Sequence, residues 1–121
     1  MDNPSENPLA SKTYAFARRI IKLYRHLISE HREYVLSKQI LRCGTSVGAN
    51  VAEANQAQSK ADFISKLSIA LKVAVETDYW LRLLRDEQFN KNAQAESLRD
   101  DCSEIIKMLT ASIKTVKRGL Q

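Results

Sequence analysis

The sequence has few of the residues that interrupt helices. Of its 121 residues only two are proline and three are glycine, and both prolines lie within the first eight positions. Proline removes a backbone donor and clashes with the preceding helical turn, so a long stretch without it permits long helices. The chain from residue 9 onward therefore favours an all-α protein.

Cysteine and histidine are equally scarce, with two of each. Cys43 and Cys102 form no CxxC pair and no Cys/His cluster, so the sequence carries no metal or redox signature. Both fall at apolar helical positions, where reduced cysteine packs as a small hydrophobic residue. HExxH, GxGxxG and Walker motifs are absent as well. We expect no catalytic residue, no metal, no cofactor, no small-molecule substrate and no enzymatic activity.

Long apolar runs are also missing. No run approaches the roughly 18 residues of a membrane span, and the N-terminal residues MDNPSENPLA lack the basic and apolar regions of a signal peptide. We therefore expect a cytoplasmic protein with no membrane partner. The length suits one domain with a modest core. The net charge of +5 suggests an anionic partner such as nucleic acid.

What the sequence does contain is apolar residues at helical spacing along four segments, separated by polar stretches. We predict helices over residues of about 8–29, 35–57, 60–87 and 93–118. Residues 1–7 are expected to form a disordered tail before a single domain at 8–121. Four helices of similar length with short connections predict an antiparallel up-down-up-down four-helix bundle.

Two of the helix starts carry capping signals. Asn7 followed by Pro8 predicts a cap with proline at the first helical position, and Ser11 is a second candidate for this cap. Ser59 and Asp62 have the spacing of a capping box at the start of helix 3.

Helices 2 and 3 carry more apolar surface than one bundle needs. On helix 3, Ile69, Val73 and Trp80 form a second stripe about a quarter-turn or more from the core stripe. Helix 2 has a row of mostly small residues along which another helix backbone can approach closely, namely Leu41, Gly44, Gly48 and Ala52. Either the two helices pack tightly within one subunit, or the surplus faces are buried between subunits. We expect self-association.

Polar residues accompany this small-residue row. Arg42 and Glu53 lie about three turns apart on one face, so each needs a partner from elsewhere. Asn50 lies at the edge of the core face, where an amide is costly unless hydrogen-bonded. We interpret Asn50 and Glu53 as polar anchors between helices or subunits, and the alternative is an exposed Glu53 with no role. The predicted assembly residues are Arg42, Gly44, Ser46, Gly48, Asn50, Ala52, Glu53 and Trp80.

Helix 1 carries a basic face and has no acidic residue between Leu9 and Ser29. In an up-down bundle helix 4 can lie beside helix 1, and its basic end would then extend the same positive surface. Such a surface suits binding to a phosphate backbone, although a charge run can also be a merely solvated face. No base-reading motif is present, so any binding should favour backbone over sequence. The predicted nucleic-acid-binding residues are Lys12, Arg18, Arg19, Lys22, Arg25, Lys114, Lys117 and Arg118.

The segment from Leu41 to Leu84 resembles the four-helix bundle protein family that is also called the 23S rRNA intervening-sequence protein family. That family shows a basic residue, then small residues, then a Ser-Ile/Val-x-x-Asn-Ile/Val-Ala-Glu core. Its counterparts in this sequence are Arg42, Ser46, Val47, Asn50, Val51, Ala52 and Glu53. A phenylalanine followed by a leucine- and alanine-rich helix matches Phe63 to Ala74, and the similarity covers essentially the whole chain.

The resemblance implies an up-down-up-down bundle that assembles as a ring-like homopentamer. Some members are encoded within insertions in large-subunit ribosomal RNA genes, and the accessory proteins of diversity-generating retroelements are similar in build, with a basic surface for nucleic acid. We therefore expect a non-enzymatic homopentamer that binds RNA, or else DNA, mostly without sequence specificity. The alternative is a structural or adaptor protein whose bundle surface binds another protein.

Overall fold

The structure is a computed structural model that describes residues 7–119. This range forms four helices, α1 (Pro8–His31), α2 (Leu36–Ala54), α3 (Lys60–Asp86) and α4 (Asn92–Gly119). Each helix packs against the next, and α4 returns to contact α1. The predicted all-α, antiparallel up-down-up-down four-helix bundle is therefore confirmed. The tail predicted at the N-terminus lies, apart from Asn7, outside the described residues.

Side-chain caps begin two of the helices. The Oδ1 of Asn7 accepts a hydrogen bond from the backbone N–H of Ala10 at 3.1 Å, so Asn7 rather than Ser11 caps α1. The Oγ of Ser59 accepts from the N–H of Asp62 at 3.0 Å at the start of α3. These bonds satisfy N–H groups that have no acceptor within the helix.

Two helix ends differ from the predicted positions by two or more residues. α1 continues past residue 29 to His31, and Arg32 then ends it in the left-handed conformation with φ of 51°. α2 ends at Ala54, before the predicted end at residue 57, because the N–H groups of Gln56 and Ala57 bond to carbonyls three residues back rather than four. This tighter turn redirects the chain toward α3.

The core consists of the stripes that helical spacing predicts, and all four helices contribute to it. Cys43 and Cys102 are both free and buried. Burial raises the pKa of the Cys43 thiol, and it raises the pKa of the Cys102 thiol to about 12. The largest fully buried side chains are Phe16, Ile20, Leu27, Ile40, Leu67, Leu81, Leu84, Ile105 and Leu109.

Candidate nucleic-acid interface

The basic side of α1 meets the acidic half of α4. The Nζ of Lys12 lies 3.0 Å from the Oε2 of Glu104 and 3.7 Å from the Oδ1 of Asp101. Arg19 donates to the Oδ2 of Asp101 at 2.6 Å and to the Oγ of Ser97 at 3.0 Å. Partly exposed pairs of this kind contribute about 0–1 kcal/mol each. The carboxylates also neutralise Lys12 and Arg19. The two basic side chains thus link α1 to α4, and they are less available to a phosphate.

These pairs show how α4 lies along α1. Arg19 is level with Ser97, and a rise of 1.5 Å per residue puts Lys117 about 30 Å further along the bundle. That end adjoins the start of α3, since a Cβ added at Gly119 would lie 3.6 Å from the Nζ of Lys60. The eight predicted binding residues are therefore spread along the bundle rather than gathered beside Arg19. The residues at the far end are Lys114, Lys117 and Arg118.

A narrower ridge remains on α1, directly opposite its buried stripe. Arg18, Lys22 and Arg25 recur at helical spacing and are exposed. Within residues 7–119 none of the three forms an ion pair. Tyr14, one turn before Arg18, is 69% exposed and continues the line. We call these four residues the α1 ridge.

Tyr14 is not among the residues predicted from the sequence for this surface. The available signal was its spacing, because Tyr14 stands four positions before Arg18 and eight before Lys22. An exposed aromatic ring beside cations provides a stacking surface for a base. The ridge therefore combines phosphate-directed charge with one aromatic side chain.

The small-residue row of α2 is covered by α1 of the same chain. A Cβ at Gly44 would lie 2.8 Å from two carbons of Ile20, and a Cβ at Gly48 would lie 3.2 Å from the backbone carbonyl oxygen of Thr13. The close helix approach that the row predicts is thus made within one subunit at both glycines. Ala52, the next member of the row, is exposed.

An open groove of about 1000 Å³ lies along this contact between α1 and α2. Ala52 and Tyr14 both border it. Most of its lining side chains are small, so a bulky side chain from another molecule could enter. The other lining residues are Asn7, Ala10, Ser11, Thr13, Ala17, Thr45, Gly48, Ala49, Asn55 and Gln56.

Arg42 and Trp80 meet at one carboxylate of α3. The Nη2 of Arg42 donates to the Oε2 of Glu76 at 2.7 Å, and the Nε1 of Trp80 donates to the same oxygen at 2.9 Å. The hydrogen bond from Trp80, followed by that from Arg42, holds the pKa of Glu76 below its ordinary value. This cluster joins α2 to α3.

The other polar residues of the motif divide into two kinds. The Oε1 of Glu53 lies 3.3 Å from the Nζ of Lys66, which makes a second link between α2 and α3. Asn50 instead donates to the Ser46 carbonyl of its own helix at 2.8 Å. Ser46 likewise donates from its Oγ to the carbonyl of Arg42. Within the described chain, Glu53 links two helices, whereas the amide nitrogen of Asn50 bonds locally.

Residues 6–111 match the family model described as 23S rRNA-intervening sequence protein. The chain belongs to this family. The resemblance carried by the segment from Leu41 to Leu84 is thereby confirmed. A solved structure of a protein with unknown function, from the S23 ribosomal protein family of Bacteroides thetaiotaomicron, is similar to this intervening-sequence family protein. It is 54% identical, with a TM-score of 0.86, and the match covers 88% of this chain and 98% of that one.

No curated protein matches this member of the intervening-sequence family. Neither the family description nor that of the Bacteroides protein names a catalytic activity. Within residues 7–119 no helix is both long enough and apolar enough to cross a membrane. The same range contains no group of three or more His, Cys, Asp or Glu side chains that could hold a metal ion.

Proposed function

We propose that this protein is a non-enzymatic nucleic-acid-binding protein that contacts the phosphate backbone of RNA through the α1 ridge. The observation that carries this proposal is the exposure of Arg18, Lys22 and Arg25 without a carboxylate partner in the described chain. Exposed cations without a carboxylate partner can displace the counterions of a nucleic-acid backbone, and this displacement provides sequence-independent affinity. RNA is the favoured partner because the family description refers to 23S rRNA.

We further propose that the protein works as a homo-oligomer, with the ring-like pentamer of the resemblance as the expected form. Three exposed apolar side chains of α3, those of Ile69, Val75 and Tyr79, support this proposal. The α1–α2 groove offers a second surface of different shape. A contact between two different surfaces is heterologous, and such contacts generate closed rings when the rotation closes.

Assembly into a ring would raise the affinity of the protein for an RNA strand. One subunit offers three cations, and a ring presents several copies of the same ridge to one strand. Linked copies bind at a high effective concentration, so the whole assembly binds more tightly than one ridge does alone.

The test of RNA binding is a salt series with a structured RNA and with a single strand. We expect the logarithm of affinity to fall linearly with the logarithm of salt concentration. The triple variant Arg18→Gln/Lys22→Gln/Arg25→Gln should reduce the steepness of this slope by about 2 per bound subunit. Each phosphate contact on a single strand contributes about 0.7 to the slope, and the variant removes three such contacts. The matched control Lys38→Gln/Lys72→Gln/Lys107→Gln loses the same charge from exposed positions on the other helices. Binding that is independent of salt, or equal loss in both variants, would contradict the proposal.

Light scattering after gel filtration tests the assembly. A single species with several times the subunit mass supports a ring, and a monomer at micromolar concentration would refute it. The variant Val75→Lys places a charge on the proposed interface and should lower the mass. Ala111→Lys, which adds the same charge at an exposed position of α4, should not.

The groove favours a second candidate function, an adaptor that binds another protein. Its small side chains and the exposed ring of Tyr14 can accept a bulky side chain of a partner. A partner that stays bound after nuclease treatment, and that is lost in Ala49→Glu, would favour the adaptor over the RNA-binding protein.

A further inference from the structure

A cleft of about 270 Å³ opens where α1 meets the start of α4. Leu23 and Leu98 supply its apolar lining. Every polar side chain that lines it can donate a hydrogen bond, and none of the lining residues is a carboxylate. These polar side chains are Arg19, Lys22, His26, Asn90 and Gln94. Because a water molecule occupies about 30 Å³ of liquid volume, the cleft has room for an anion together with several waters.

Asn90 is the most unusual of these residues. It belongs to the connection between α3 and α4 and is only 7% exposed. Within residues 7–119 its Nδ2 has no hydrogen-bond partner. Leaving a buried donor unpaired costs about 1–3 kcal/mol, so native structures rarely keep one without a reason. Rotation of the side-chain amide by half a turn exchanges the positions of Oδ1 and Nδ2, so the nitrogen can face the cleft. An oxyanion in the cleft would then supply the missing acceptor.

The start of α4 adds a backbone contribution. The first N–H groups of a helix have no acceptor within it, and the helix dipole places about half a positive charge at this end. α4 has no acidic residue in its first turn to neutralise that charge. Gln94 belongs to this turn and lines the cleft. An anion in the cleft therefore lies close to a favourable helix end.

Arg19 and Lys22 of α1 contribute to the cleft in different ways. The Nη1 of Arg19 donates to Asp101 and its Nη2 donates to Ser97, which fixes the guanidinium in place. A guanidinium has five N–H donors, so others remain for a ligand. Asp101 also pairs with Lys12, which partly neutralises its negative charge. This carboxylate therefore repels an anion in the cleft less than an unpaired carboxylate would. Lys22, with no ion pair in the described range, supplies the cationic charge.

We propose that this α1–α4 cleft is a binding site for a phosphate group. The cleft surrounds its contents with donors from two helices and a connection, which suits a group with three or four acceptor oxygens better than a carboxylate with two. Lys22 belongs both to the cleft and to the α1 ridge, so a strand lying on the ridge can place a phosphate in the cleft. The assignment to nucleic acid rests on the proposed function, whereas binding of the phosphate group itself does not.

Inorganic phosphate is the first probe. Titration of the isotope-labelled protein by NMR should give saturable shifts in the side-chain amides of Asn90 and Gln94 and in the backbone amides of residues 92–94, the first N–H groups of α4. The variant Asn90→Asp introduces a carboxylate of the same size, and affinity should fall about tenfold or more because a charged hydrogen bond becomes a repulsion. The matched control Asn55→Asp makes the same change at an exposed position and should leave affinity unchanged. Lys22→Gln, also exposed, should weaken binding several-fold without affecting folding.

Two RNA strands of one sequence, one with a 5′-phosphate and one with a 5′-hydroxyl, distinguish the source of the group. Tighter binding of the phosphorylated strand, lost in Asn90→Asp, supports the strand end as the ligand. Equal binding of the two strands together with saturable binding of inorganic phosphate supports a free phosphate as the ligand.

Absence of saturable shifts with phosphate, or equal shifts in Asn90→Asp, would overturn the proposal. If RNA then still binds in a salt-dependent way, the proposed function stands and the cleft assignment alone fails. If phosphate binds and RNA does not, the cleft assignment stands and the proposed function fails.

Discussion

Gly44 offers the sharpest test of how α1 and α2 pack. In the Gly44→Ala variant the new Cβ would lie 2.8 Å from both the Cγ1 and the Cγ2 of Ile20 and 3.1 Å from its Cδ1. Ile20 has no exposed surface. A valine or isoleucine side chain in a helix has one strongly preferred χ1 rotamer. Ile20 therefore cannot rotate away from the added methyl group without a cost in energy. The two helices must therefore move apart.

Two opposing contributions determine the size of the effect. Alanine is more favourable than glycine inside a helix by about 1 kcal/mol. Overpacking of a well-packed core costs about 1–3 kcal/mol. Because two carbons lie below any normal contact distance, we place the cost at Gly44 near the upper value. We expect Gly44→Ala to lower the free energy of unfolding by about 2 kcal/mol.

The assay is urea unfolding at one fixed protein concentration, followed by circular dichroism and by the fluorescence of Trp80. The decisive comparison uses the Ile20→Ala background, which lacks the three clashing carbons. There Gly44→Ala should stabilise by about 1 kcal/mol, because only the helix-propensity gain remains. Ala111→Gly, at an exposed position of α4, calibrates that gain in this protein. If Gly44→Ala stabilises both backgrounds equally, the close contact does not exist.

Two further predictions concern buried and partly buried titratable groups. The folded-state pKa of Glu76 is lowered by Trp80 and Arg42, so its contribution to stability is present above the ordinary glutamate pKa and is lost as pH falls through the folded value. As pH falls from the ordinary glutamate pKa through the lowered folded value, the wild type should therefore lose more stability than Glu76→Gln in acid-dependent urea unfolding, and parallel losses would contradict this. Cys43 and Cys102 should resist alkylation at pH 8 in the native protein and react after unfolding, because burial raises both pKa values and blocks access. Mass spectrometry before and after addition of urea measures this, and rapid native labelling of Cys102 would disprove its burial.

Local signals in the sequence predicted local structure well. The caps at Asn7 and Ser59 depend on a side chain and a backbone N–H only a few residues away, so spacing along the chain is sufficient to find them. The early end of α2 escaped prediction because the residues that follow Ala54 have no strong helix breaker among them. Their tight turn accompanies the packing of α3 against α2, which spacing along the chain does not predict.

The basic face shows the limit of reading one helix alone. The predicted basic face included Lys12, Arg18 and Arg19, yet helical spacing could not say which of them an acidic neighbour would neutralise. That depends on the register of α1 against α4, which puts Asp101 between Lys12 and Arg19. Arg18 is not neutralised within residues 7–119, because it lies on the exposed side of α1, opposite the buried stripe.

The sequence by itself determined the fold class, the main core stripes and the family, because periodicity, helix caps and a short motif are properties of neighbouring residues. The tertiary structure decided that α1 covers Gly44 and Gly48, since a small residue does not specify which helix will approach it. It also decided that Asn90, in a polar connection, becomes buried with an amide nitrogen that has no hydrogen-bond partner within residues 7–119. Burial of a connecting residue depends on which helices meet around it, and contacts between residues far apart in the chain determine that meeting.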